Sequence, residues 1–198
     1  MTIVVASESG LVADDVYQDN HCWWYKTKVK KVFRHSSNTI AVGIAGYSVN
    51  KDLDYFLDQL FALTDCIYSN QKDPLFKKTQ IGKTELVKKY PHMADTIDYL
   101  HAMCKTTFRR IVIITRDYTI PVFCDGNDPS DFIYIFDKVN ELYMGTDSNY
   151  YRAYRTHTAG PVRAMKKMLK VLHGNTASFD VISRASLLPF PLTIRAET

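Results

Sequence analysis

No apolar run in the chain approaches the ~20 residues needed to cross a bilayer, so no membrane span is expected. The start lacks a basic region, an apolar stretch and a cleavage site, so secretion is not indicated and a cytoplasm is the expected compartment. Four cysteines (Cys22, Cys66, Cys104 and Cys124) form no C-x-x-C pair. They read as reduced, mostly buried, small apolar side chains. Six histidines make neither H-x-x-x-H nor H-E-x-x-H, so no metal site and no cofactor are expected. There is no repeat, no low-complexity tract and no interdomain linker, which points to one domain over residues 1–198. A net charge of +4 does not by itself argue for a polyanionic partner.

What is present is an ordinary globular composition, 46% hydrophobic and 23% charged. Thr2 to Ser7, with β-branched Ile3, Val4 and Val5, reads as a strand. Glu8, Ser9 and Gly10 read as a turn, and Leu11 to Val16 as the returning strand of a hairpin. "KVKKVFRH" and "TIAVGIAG" follow as extended segments around a turn at Ser36–Asn38. The period then changes. Leu53, Phe56, Leu57, Leu60 and Phe61 share one face of a helix over about 50–66. Residues 67–90 show no clean period and read as a connection with a short helix. A second long helix is expected over about 91–107, with Met93, Ile97, Leu100 and Cys104 on its buried face.

"RIVIIT", "TIPVFCDG", "DFIYIFD" and "ELYMGT" read as four more strands. Ser148 can cap a short tyrosine-rich helix. Pro161 and Gly174 bracket a third long helix expected to bury Val162, Met165, Met168, Leu169 and Leu172. The segment from Ser178 reads as extended. Runs of strands and helices segregated in this way argue for stacked sheets with helices outside, not for alternating βαβ units.

Two further strings carry no function. "IGKT" at 81–84 lacks the glycine that a phosphate loop needs five residues earlier, where Lys77 stands. "HCWWYKTKVKKVFRH" interleaves aromatics with cations but runs into core strands, so nucleic-acid binding is not expected.

The order of the elements, with "TIVV", "GLVADD", "VKKV", "IAVGIAG", "YMGTDS" and "DVIS", resembles the proteasome β-subunit family of N-terminal-nucleophile hydrolases. Within it the chain looks most like the bacterial proteasome-like peptidase and divergent phage relatives. The resemblance implies an α+β fold, a four-layer αββα sandwich of two stacked antiparallel sheets. It implies a threonine-type peptidase acting on polypeptide, a homo-oligomeric ring and an ATPase unfoldase ring as a further partner. Thr2 would be the nucleophile after Met1 is removed, Lys31 the ammonium beside it and Asp15 the acid that holds Lys31. The Gly43 N–H would face the oxyanion, and Thr146, Asp180 and Ser183 would support the site.

The chemistry has its own logic. A hydroxyl is a poor nucleophile until a base takes its proton. A free α-amine, with a pKa of about 7.7–8.0, is such a base on the same residue. A neighbouring ammonium lowers that value further and favours the alkoxide. Each position also has a plainer reading. Thr2 can be only the second residue of a chain that keeps Met1, in a non-catalytic shell or scaffold subunit. Asp180 and Ser183 can be outward residues of a strand. Pairing Thr2 with Asp15 centres the hairpin turn between Glu8 and Ser9, whereas pairing Met1 with Asp15 centres it on Glu8.

Overall fold

The computed structural model describes residues 3–18, 26–45, 52–69, 80–106, 110–123, 131–134, 136–137, 141–146, 148–174 and 178–189. Thr2, Cys22 and Cys124 lie outside them.

The chain opens with β1 (Val4–Ser7) and β2 (Gly10–Asp14), joined by the two-residue turn Glu8–Ser9. Val4 faces Ala13 and Ser7 faces Gly10, the register that a turn centred between Glu8 and Ser9 requires. The two short strands β3 (Val16–Gln18) and β4 (Lys26–Lys28) pair with each other. Then come β5 (Val32–Arg34) and β6 (Ala41–Ala45). The expected single stretch "KVKKVFRH" is therefore two strands, and the break between them falls at Val29–Lys31.

The helical segment is α1 (Leu53–Tyr68). After it stand β7 (Gln80–Gly82), α2 (Lys83–Lys89), a tight turn at Pro91–Met93 and α3 (Ala94–Thr106). Strands β8 (Arg110–Ile114), β9 (Tyr118–Phe123), β10 (Asp131–Tyr134), β11 (Phe136–Asp137) and β12 (Glu141–Met144) follow. The chain continues through α4 (Ser148–Arg155), α5 (Pro161–His173) and β13 (Phe179–Ser183).

One sheet has the order β12–β1–β2–β13, the other β5–β6–β8–β9–β10–β7 with β11 also paired to β9, and the registers that join their strands are antiparallel. The opening hairpin is central, as its apolar strands require. Strand alternation sorts the core into three layers. Val42 and Ile44 of β6 face Phe56, Leu60, Ile97 and Leu100 of α1 and α3. Ala41 and Ala45, on the other face of β6, meet Val4, Ala6, Leu11 and Ala13 between the sheets. Ile3, Val5 and Val12 face Tyr151, Ala164, Met165, Met168 and Leu169 of α4 and α5. The result is an α+β fold, two stacked antiparallel sheets between helical layers. The third helix buries Met165, Met168 and Leu169, with Leu172 partly buried against them, as expected, but Val162 is 38% exposed and Ala164 is in the core.

Arg184 ties the two sheets together at the turn end of the hairpin. Its Nη1 donates to the carbonyls of Thr115 (2.6 Å) and Tyr118 (2.7 Å), on the turn between β8 and β9. Its Nη2 donates to Ser7 O (3.0 Å) on β1 and to Thr119 Oγ1 (2.7 Å). Burial, the largest influence on this guanidinium, pulls its pKa down. Arg184→Met keeps the stem and removes the bonds. It should lower unfolding stability by about 2–3 kcal/mol in urea titration, because three carbonyls lose a charged donor.

Candidate active site

A buried ion pair stands where β1 begins and β2 ends. Lys31 Nζ lies 2.8 Å from Asp14 Oδ1, with the two side chains 2% and 1% exposed. Lys31 is held there by backbone, since its carbonyl accepts from Ile44 N–H at 2.8 Å. Of the adjacent Lys30 and Lys31, only Lys31 turns inward. Lys30 is exposed, its Nζ 5.6 Å from the Phe33 ring centroid. The same Asp14 oxygen accepts from the Ile3 N–H at 2.7 Å. One carboxylate oxygen thus joins the beginning of β1 to the cation that precedes β5.

The expected partner of Lys31 was Asp15, and this is corrected. Asp15 directs its carboxylate to Ser178, accepting from the Ser178 N–H at 3.1 Å and from its hydroxyl. Its own N–H donates to Ser178 O, and its carbonyl accepts from Val29 N–H. Asp15 therefore fastens the start of β13 to the end of β2. Adjacent residues on an extended chain point in opposite directions, so only one of the two aspartates reaches the lysine.

Gly43 stands opposite Val32 on one side and Val112 on the other. A Cβ there would come within 2.5 Å of Val4 Cγ1, so the glycine lets the sheets approach. The bonds of Ile44 N–H to Lys31 O and of His35 N–H to Ile40 O set the alternation along β5 and β6. By that alternation the Gly43 N–H points into the ladder toward β8. The oxyanion role expected of it is not supported by this register.

Thr146 is exposed, just past Met144 of β12, the residue that faces Val4. It therefore lies at the same end of the sheet as Ile3 and Asp14. Asp180 is exposed and faces Ala13. Ser183 faces Gly10, four residues along β2 from Asp14. At about 3.3 Å per residue that is roughly 13 Å away, so Ser183 is not part of this group.

Among the described residues no group of three or more His, Cys, Asp or Glu could hold a metal ion, and no helix is long and apolar enough to cross a membrane. Of the cysteines described, Cys104 is buried and Cys66 half-buried, its sulfur 3.5 Å from His92 Nε2.

No known family's sequence pattern matches the chain, and no curated protein does. Similar solved structures include the helical assembly of the Anbu complex from Pseudomonas aeruginosa, at 12% identity and a TM-score of 0.45, covering 95% of this chain and 83% of that one. Another is Anbu, an ancestral beta-subunit, from Yersinia bercovieri, at 10% identity and a TM-score of 0.43, over 94% and 84%. A third is an Anbu Gly-1 mutant from Hyphomicrobium sp. strain MC1, at 11% and 0.45, over 92% and 82%. The resemblance to the bacterial and phage proteasome-like peptidases is therefore corrected. No family pattern supports it, and these solved structures are Anbu proteins instead. At such scores the likeness carries no weight for the chemistry, which rests on the residues above.

Proposed function

We propose that the chain is a threonine-type peptidase subunit whose nucleophile is Thr2 once its amine is free. The observation that carries this is the Lys31–Asp14 pair, bonded through Asp14 to the Ile3 N–H. That nitrogen is the one by which Thr2 is joined to the chain. Burying an ion pair commonly gains less than packing an apolar pair of the same volume. Placing one at the first peptide of the first strand suggests a chemical use.

In this reading the Lys31 ammonium, kept charged by Asp14, lowers the proton affinity of the nearby amine and hydroxyl. The neutral amine takes the hydroxyl proton, and the oxygen attacks the substrate carbonyl. The proton passes to the leaving amine, an ester forms on Thr2, and water hydrolyses it to restore hydroxyl and amine. Thr146, on the same sheet end, supplies a further hydroxyl. Asp15 acts by anchoring β13, and Gly43 by letting the sheets close.

A second reading, a non-catalytic scaffold subunit that keeps Met1, is favoured by one feature. The Asp14 carboxylate already ties Ile3 to Lys31 and needs no nucleophile to justify it. Intact-mass measurement separates the two. Loss of Met1, together with hydrolysis of a fluorogenic peptide that Thr2→Ala reduces to the level of the blank, is the expected result. Retained Met1 on protein that still hydrolyses the peptide, or unchanged activity in Thr2→Ala, would sink the Thr2 mechanism.

A further inference from the structure

The charge of this protein is divided between its outer layers. The sequence has 25 Lys and Arg against 21 Asp and Glu. Six of those cations and none of the acids lie within residues 148–174, the α4–α5 layer, leaving 19 against 21 elsewhere. On α5, Arg163, Lys166, Lys167 and Lys170 fall at i, i+3, i+4 and i+7, one exposed stripe opposite the buried Met165–Leu169 face. Arg155 is answered by Glu141, its Nε 2.6 Å from the carboxylate. The α5 stripe and Arg152 make no ion pair among the described residues.

The layer on the far side of the sandwich has the opposite pattern along α1. From Asp52 to Tyr68 it carries Asp52, Asp54, Asp58 and Asp65 and no Lys or Arg. Asp54 and Asp58 are exposed one turn apart. The cations of this layer lie on α2 and α3 instead. Both faces also expose large apolar groups. In the α4–α5 layer Tyr150 (55%) is exposed on α4 and Val171 (66%) follows Lys170, while on α1 Tyr55 (56%) follows Asp54. Contacts to a phosphate backbone have no use for an exposed valine beside the lysines, whereas a protein surface does.

We propose that the α4–α5 face docks on the α1 face of a second copy of this chain. The stripe lengths agree, since the steps from Arg163 to Lys170 on α5 and from Asp52 to Asp58 each add up to a rise of about 9–11 Å. Two basic faces set against each other would repel, so the contact is head-to-tail. Such a contact builds a ring where the rotation closes and a filament where it does not. It is independent of the proposed hydrolysis, because the experiment reads assembly and not turnover.

The test is sedimentation equilibrium of the full chain at 50 and 500 mM NaCl, with charge-reversed variants. Self-association should weaken at least about tenfold at the higher salt, as exposed charge contacts are screened. Lys166→Glu/Lys167→Glu/Lys170→Glu should abolish it, and so should Asp54→Lys/Asp58→Lys. An equimolar mixture of the two variants should associate again, each reversed face meeting its complement. Surface changes of this kind should leave the melting temperature near that of the parent. If a reversal unfolds the chain, the milder Lys167→Gln/Lys170→Gln should still weaken association without abolishing it. A wild type that stays monomeric, association indifferent to both reversals, or a mixture that fails to recover would each overturn the proposal. So would a wild type that is monomeric alone but shifts with heparin, which would assign the basic face to a polyanion.

Discussion

Lys31→Met is expected to destabilise the fold by about 3–5 kcal/mol, more than any loss of apolar contact at that position would explain. The methionine fills much of the same volume, so the cost comes from charge. Asp14 would be left 1% exposed without the ammonium now 2.8 Å away. The bond from the Ile3 N–H would remain. The decisive measurement is a double-mutant cycle by urea titration. Lys31→Met and Asp14→Asn together should recover a large part of the loss, because the neutral amide keeps an acceptor for Ile3 and no longer needs a counter-charge. If the double variant is as unstable as the sum of the singles, the pair is not coupled and its electrostatic role is wrong.

This prediction differs from one built on the sequence alone in naming Asp14 where Asp15 was expected. The two aspartates are adjacent and alike in composition, so a spacing counted from Gly10 cannot separate them. The information was nonetheless in the strand. A two-residue turn at Glu8–Ser9 sets Ile3 beside Asp14, and β2 ends there. The layered fold was legible for a related reason. Alternation with period two and a helical face at 53–61 are properties of many residues at once, so single departures do not erase them.

"AVGIAG" carries a second pattern besides its apolar run. Ala41, Gly43 and Ala45 share one face and are all small, which marks the face that meets another sheet closely. Close packing against Val4, not an oxyanion role, accounts for a glycine at position 43. Val162 lies at the margin of the apolar arc of α5, one turn before Met165, whereas Ala164 lies one turn before Met168 on the opposite margin, and only the second margin is covered by the sheet. What lay beyond the sequence was contact between distant segments. No local pattern announces that Arg184 reaches Ser7, or that Ser178 receives Asp15.

Gly10→Ala should be more damaging still, above about 4 kcal/mol, and should leave little folded protein at 37 °C. Gly10 has φ of +136°, a conformation that side-chain-bearing residues rarely adopt. The added Cβ would also stand 2.0 Å from the Ile182 carbonyl oxygen and 2.8 Å from the Arg184 nitrogen, both backbone atoms. No rotamer change can relieve a clash with backbone, so β13 would have to move away from β2. That displacement would break the register in which Ser183 faces Gly10 and Ile182 faces Leu11. It would also draw Arg184 away from Ser9, whose carbonyl accepts the Arg184 N–H at 2.9 Å, and so loosen the guanidinium that joins the sheets. Asp15 and Ser178 sit at the other end of the same strand pair, so hydrogen exchange should rise first around Ile182–Arg184 and later around Ser178. Circular dichroism and urea titration would check the stability. A Gly10→Ala protein within about 1 kcal/mol of the parent would mean that β13 does not pack on this turn as described.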